Sequence, residues 1–210
     1  RAQRVFAASA EIGEEIKSRR PDVVNLFAPG APISNVSKQS EISLLTFGMA
    51  HKISATGYRK LAKILAASNK SFQLEVSSAL HEGTSFDENF FSVADEISQS
   101  FGGNVVFLGF LADEEVSRRL QETTALVAFF PNGVRENNTT VMSAMAHGCA
   151  VITNLDLLSP KWMKHGHNIF DINKLENFPD AAQIATVRKN AQLAVAEFGF
   201  DRLALLIQKD

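Results

Sequence analysis

Two polar stretches hold the side chains best suited to chemistry. The first runs from Gly48 to Gly57 and includes His51, Lys52 and Thr56. The second runs from Pro131 to Thr140 and reads Asn132, Gly133, Val134, Arg135, Glu136, Asn137, Asn138, Thr139 and Thr140 after the proline. Each follows an apolar run of strand length, Ile42 to Phe47 and Leu126 to Phe130 respectively, and each leads into a segment with helical spacing. In open parallel sheets, such loops at the carboxyl ends of strands are where ligands bind. A polar loop feeding a helix start favours an anion, because free backbone N–H groups and the helix dipole both point at it. Asn, Asp, Ser and Thr also open helices merely as caps, so composition alone does not separate a phosphate site from an ordinary helix start.

The elements that must position these loops can be read from periodicity. Strand-like runs recur at Val23 to Phe27, Ile42 to Phe47, Phe72 to Val76, Val105 to Leu108, Leu126 to Phe130, Ala150 to Ile152 and Asn168 to Phe170. Most are apolar on both faces, as strands are when helices cover both sides of a parallel sheet. Between them lie helical patterns such as Leu61, Ile64 and Leu65, or Phe90, Ala94, Ile97 and Phe101. A helix is expected from about Thr140 to His147, ended by Gly148. The alternation predicts an α/β fold, a doubly wound parallel sheet of Rossmann-like type.

The ends of the chain differ. Residues 4–20 predict a short strand and a helix started by Ser9, and the Pro-, Gly- and Ser-rich stretch that follows predicts a linker over 34–41. The tail predicts two helices, one marked by Ile184, Val187, Ala191, Val195 and Phe198 and another by Leu203, Leu206 and Ile207.

Composition narrows the function. The 21 Lys and Arg against 23 Asp and Glu give a net charge of −2, without the clustered basic surface of a nucleic-acid binder. No Lys or Arg lies between Lys70 and Arg118, whereas nine acidic residues do, so one acidic, solvated face is expected. Cys149 is the only cysteine, which fits a reducing compartment and excludes an internal disulfide. Its place between a helix-ending glycine and a strand reads as packing. His165 and His167, two residues apart with no clearly spaced third ligand, do not make a metal site. No apolar run approaches the ~20 residues of a membrane span.

The run Gly133 to Thr153, GVRENNTTVMSAMAHGCAVIT, resembles the signature segment of retaining group-1 glycosyltransferases with the GT-B fold. Ser143, Ala144, Met145, Ala146, His147 and Gly148 stand where that family has E-A-M-A-x-G. Ile42 to Gly48 is similar to the opening strand and glycine loop of the family's nucleotide-binding half, Val105 to Leu120 to the strand and acidic helix before the signature, and His165 to Asp171 to its closing strand.

The resemblance implies the C-terminal half of a two-domain, metal-independent transferase that needs no cofactor and takes a nucleoside-diphosphate sugar as donor. Residues 1–33 would be the tail of the upstream acceptor-type domain, 34–41 the linker and 42–210 the nucleotide-sugar-binding domain. The acceptor, a glycan, lipid or protein, would meet the missing N-terminal domain, so the fragment alone would be inactive. A hexosyltransferase or related enzyme of the cytoplasm, free or peripheral to a membrane, is implied.

The site residues carried over are Glu136 and Arg135 for catalysis, and Gly48, His51, Lys52, Phe110, Asn137, Asn138, Thr139, Thr140 and Ser143 for the nucleotide sugar, with no metal. The sequence also departs from the family. The paired glutamate positions hold Arg135 and Ser143, with Glu136 one residue late, and Met49 and Thr56 stand where the family has its diphosphate-binding Arg and Lys. A serine offers one hydroxyl where a carboxylate offers two acceptor oxygens to ribose. These departures motivate a second reading, a catalytically inactive binding or scaffold subunit. A nucleotide-dependent oxidoreductase is excluded, because Gly48 to Gly57 lacks G-x-G-x-x-G.

Overall fold

A computed structural model of the chain describes residues 5–7, 10–25, 40–49, 54–79, 88–135 and 137–199. The chain divides into two compact units, 1–38 and 39–210. The expected linker over 34–41 and the second tail helix at 203–207 lie wholly or mostly outside the described residues. In the first unit, β1 (Phe6–Ala7), α1 (Ala10–Lys17) and β2 (Val24–Asn25) form a small βαβ unit, with the strands parallel and Phe6 opposite Val24.

The second unit is built on β3 (Ile42–Met49), β4 (Phe72–Ala79), β5 (Val105–Gly109), β6 (Ala125–Ala128), β7 (Ala150–Thr153) and β8 (Phe170–Asp171). They form one all-parallel sheet in the order β5-β4-β3-β6-β7-β8. The Rossmann-like expectation is met in both strand number and winding. The chain starts at the middle of the sheet, builds outward to β5, and returns to build the other half from β6. Connections therefore diverge between β3 and β6, and that point of reversal opens the crevice in which such sheets bind ligands.

Helices cover both faces because the strands are apolar on both faces. All four residues of β6 and of β7 are buried. On one face, α2 (Ala55–Ala67) and α3 (Glu88–Ser100) contribute Tyr58, Leu61, Leu65 and Ile97 to a core with Phe101, Leu44, Leu74, Val127 and Ile152. On the other, α4 (Asp113–Glu122) and α5 (Thr139–Ala146) place Leu120, Val141, Ala144 and Met145 against Leu45, Leu126 and Val151. Cys149 belongs to this second core, and burial pushes its thiol pKa up to about 11, so it packs as a small hydrophobe. Helix α6 (Ala181–Val195) starts with a reciprocal capping box between Asp180 and Gln183.

Strands β3 and β4 pair beyond the expected Phe47 and Val76, to Met49 and Ala79, whereas two others are cut short where side chains satisfy the backbone instead of a neighbouring strand. The sixth strand ends at Ala128 and not at Phe130. There Asn154 acts as a substitute strand: its Oδ1 accepts from the N–H of Phe130 (2.8 Å) and its Nδ2 donates to the carbonyl of Phe130 (2.7 Å). The last strand begins at Phe170, two residues later than expected. Asn168 is committed to a turn, accepting from the N–H of Lys164 (2.8 Å) and donating to the carbonyl of Trp162 (2.9 Å).

Candidate functional site

At the crevice, the end of β3 meets the start of α5. Gly48 has φ +135°, a backbone conformation that side chains rarely adopt, and a Cβ placed there would lie 3.2 Å from Thr140 Oγ1. A glycine is therefore needed for two reasons, conformation and clearance. The two loops singled out by the sequence are joined at this contact.

The start of α5 has the properties of an anion site. Asn138 is its N-cap, with Oδ1 accepting from the N–H of Val141 (3.0 Å). The carbonyl of Asn138 takes the N–H of Met142 (3.0 Å). The N–H groups of Thr139 and Thr140, in the first turn, precede any intrahelical acceptor, and no acidic residue occupies that turn. The loop leading in is tied down by Val134, which is fully buried and donates its N–H to the carbonyl of Asn154 (3.1 Å), and by the N–H of Asn138 bonding the carbonyl of Arg135 (3.1 Å).

Arg135, one of the two residues carried over for catalysis, is paired with a carboxylate. Its Nη1 and Nη2 each donate to a carboxylate oxygen of Asp156, both at 2.8 Å, and Nη1 also donates to the carbonyl of Val134 (3.0 Å). This bidentate pair holds the Asp156 carboxyl down at about 2. The Arg135 charge is thus matched by a carboxylate from the loop after β7.

Beside the Gly48–Thr140 contact, a cleft of about 360 Å³ opens between α4 and α5. Phe47, Gly48, Phe110, Ser117, Ser143 and His147 are among its lining residues. Phe110 reaches it because Ser77 Oγ donates to the carbonyl of Gly109 (2.8 Å) while Gly109, at φ +69°, turns the chain out of β5. Phe110 remains 77% exposed, an aromatic face open to a ligand.

No protein-family model and no curated protein matches the sequence. Solved structures do match the fold. Sucrose-phosphate synthase from Thermosynechococcus elongatus is 19% identical with a TM-score of 0.61, over 99% of this chain and 57% of that one. HepE from Anabaena, solved with UDP-glucose, is 18% identical with a TM-score of 0.57, over 99% of this chain and 62% of that one. The C-terminal domain of a group-1 family glycosyl transferase from Francisella tularensis, LpcC, is 18% identical with a TM-score of 0.51, over 73% of this chain and 83% of that one.

This chain has the fold of the C-terminal half of a GT-B glycosyltransferase. It spans about three fifths of the length of the first two structures.

On this fold, the carried-over residues fall into three groups. Gly48, Thr139, Thr140, Asn138, Phe110 and Ser143 gather around the crevice and cleft, although the Asn138 side chain is occupied as a cap. Arg135 stands on the same loop but is paired with Asp156, and Asn137 is exposed on that loop. His51, Lys52 and Glu136 lie outside the described residues.

Sequence reasoning misses three residues of this neighbourhood. Asp156 and Asn154 come from the loop after β7, and Ser117 from α4. His147 reads in the sequence as a helix-terminal cation, yet it stands four residues after Ser143 on the same helix face, a spacing that places it at the cleft.

The paired histidines of 165–167 have structural partners. His165 Nδ1 accepts from the N–H of Asp171 (3.0 Å), and burial lowers its pKa. The amide of Asn190 donates to the carbonyl of His167 (3.1 Å). Among the described residues, no group of three or more His, Cys, Asp or Glu side chains could hold a metal ion, and no helix is long and apolar enough to cross a membrane.

Proposed function

We propose that this chain is the donor-binding half of a retaining, metal-independent glycosyltransferase that uses a nucleoside-diphosphate sugar. The observation that carries the reading is the contact of Gly48 with the first turn of α5, at the reversal of the sheet and beside an aromatic-walled cleft. HepE, a neighbour in fold, was solved with UDP-glucose, which supports the same ligand class here. The diphosphate sits over the N–H groups of Thr139 and Thr140, and the nucleoside extends along α5 past Ser143 toward Phe110.

Departure of the nucleotide leaves negative charge on the outer phosphate. Without a metal or cofactor, that charge is stabilised by the helix N–H groups and by a cation. Loss of one preorganised donor of this kind costs ~3 kcal/mol in other enzymes. Lys52 and His51 in the first loop, and Glu136 and Arg135 in the second, are the remaining candidates for the phosphates and the transferred sugar. Arg135 must share itself with Asp156 or leave it. The acceptor, a glycan, lipid or protein, binds to the acceptor-type domain whose tail is residues 1–33, so the fragment is inactive alone; the whole protein is a hexosyltransferase or related glycosyltransferase of glycan biosynthesis in the cytoplasm.

Titration calorimetry with UDP, GDP, ADP and their sugar conjugates tests this reading. At least one should bind the chain, and Ser143→Glu should bind it more tightly by restoring a carboxylate opposite ribose. Absence of heat from every nucleotide, with no gain in Ser143→Glu, would overturn the enzyme and leave the inactive scaffold. That second reading has one specific observation in its favour, the neutralisation of Arg135 by Asp156.

A further inference from the structure

A chain of hydrogen bonds crosses the cleft wall. His147 Nδ1 lies 2.7 Å from the backbone carbonyl of Ser143, and His147 Nε2 lies 3.0 Å from Ser117 Oγ. A carbonyl oxygen only accepts, so Nδ1 carries the ring proton. In the neutral imidazole Nε2 is then an acceptor. Beside that neutral ring Ser117 donates its hydroxyl proton to Nε2, and what it turns to the cleft is lone pairs.

A serine hydroxyl ordinarily rotates between donor and acceptor; here the histidine fixes its sense. The rest of the cleft is largely apolar, with Phe47, Phe110, Leu111, Val116 and Leu120 in the walls. Among its described lining residues there is no Lys or Arg. Asp113, at the first turn of α4, is the one carboxylate among them.

We infer that Ser117, held as an acceptor by His147, selects a ligand that presents a hydroxyl donor, and that this donor is a sugar hydroxyl of a ribonucleoside diphosphate. The inference rests on the nucleotide-binding reading above and adds to it the residue pair that separates ribo- from deoxyribonucleotides. Position along α5 assigns the hydroxyl to the sugar and not to the base. With a rise of ~1.5 Å per residue, Ser143 stands ~4.5 Å beyond Thr140, about the step from a phosphate to the hydroxyls of the attached ribose. Ser117 bonds the His147 ring, which in turn bonds the carbonyl of Ser143, so the acceptor stands across the same cleft from that turn of α5. The base lies further on, against Phe110. His147 is a positioning residue in this arrangement, and Ser117 makes the contact.

The test compares UDP, GDP and ADP with their 2′-deoxy and 3′-deoxy counterparts by titration calorimetry, on the wild type, Ser117→Ala and His147→Ala. The wild type should bind a ribonucleotide at least 5-fold more tightly than one of its deoxy counterparts. That ratio should fall below 2-fold in Ser117→Ala and shrink in His147→Ala, where the serine hydroxyl is free to rotate. Because the ratio is taken within each variant, a partial loss of folded protein cancels. Thermal melts of Ser117→Ala, a helix-favouring change on α4, show that it folds. A wild type that binds ribo- and deoxynucleotides equally overturns the inference, as does an unchanged ratio in Ser117→Ala. Equal weakening of both ligands in Ser117→Ala moves the contact to the base and also overturns it, while the nucleotide reading stands. No binding of any nucleotide by the wild type removes both.

Discussion

The helices α4 and α5 start at the same end of the sheet and cover the same face, yet their first turns are electrostatic opposites. Helix α4 begins after Ala112, which makes no side-chain cap, and fills its first turn with Asp113, Glu114 and Glu115. Those carboxylates satisfy the dipole from within the chain. Glu115 is further held by Arg118 and Arg119, whose guanidinium groups keep its carboxyl at about 2, and Arg119 also pairs with Glu75. Helix α5 begins after a capping Asn138 and carries no acid in its first turn. Its positive end meets no carboxylate in its own first turn. Two equivalent helix starts thus become one that is neutralised within its own first turn and one that is not, and the difference lies in three carboxylates.

The largest effect should come from closing the open end. Thr139→Asp places a carboxylate in the first turn of α5 as in α4, and affinity for nucleoside diphosphates should fall about 10-fold or more in calorimetry. Stability in a thermal melt should hold or rise by about 0.3–1 kcal/mol, since the new charge favours the dipole. A fall in affinity accompanied by unfolding would instead mean that the substitution broke the loop.

Gly48→Ala breaks the contact that makes α5 different. The strained φ and the approach of a methyl group to Thr140 Oγ1 should cost about 1–3 kcal/mol in denaturant melts, and diphosphate affinity should drop with it. The α4 end has no such neighbour to disturb.

A smaller, paired experiment exchanges the caps. Asn138→Ala should cost about 1 kcal/mol of stability, whereas Ala112→Ser should gain a few tenths to about 1 kcal/mol by supplying α4 with the side-chain acceptor it lacks. Only the first should alter diphosphate affinity. An equal effect of both on binding would show that α4, and not α5 alone, faces the anion.

Much of the fold is legible in the chain itself, because it depends on local pattern. Six of the expected strand runs, from Ile42 to Phe170, are the six strands of one sheet, with ends shifted where Asn154 or Asn168 bonds the backbone. The start of α5 is legible from Asn138, Thr139 and Thr140 and its end from Gly148, since caps act within one turn of chain. Gly48 reads in the sequence as the first residue of a loop, whereas β3 runs through it to Met49; the spacing of 133–153 carries the family likeness.

What the sequence could not decide were meetings across distance. Ser117 and His147 are thirty residues apart, Arg135 and Asp156 twenty-one, and the side chains that join them carry no periodic signal. Arg135 looks free in the sequence because its carboxylate partner lies twenty-one residues away; the turn after β7 brings Asp156 against it. The cleft exists only because α4 and α5 pack on one face of the sheet, and that follows from the order in which the strands wind. By itself the sequence determined which segments are strands and helices, and which helix start carries no acid, because periodicity and capping are local properties of the chain. The tertiary structure alone decided which polar groups face a ligand and which neutralise one another, because hydrogen bonds and charge pairs depend on spatial distance.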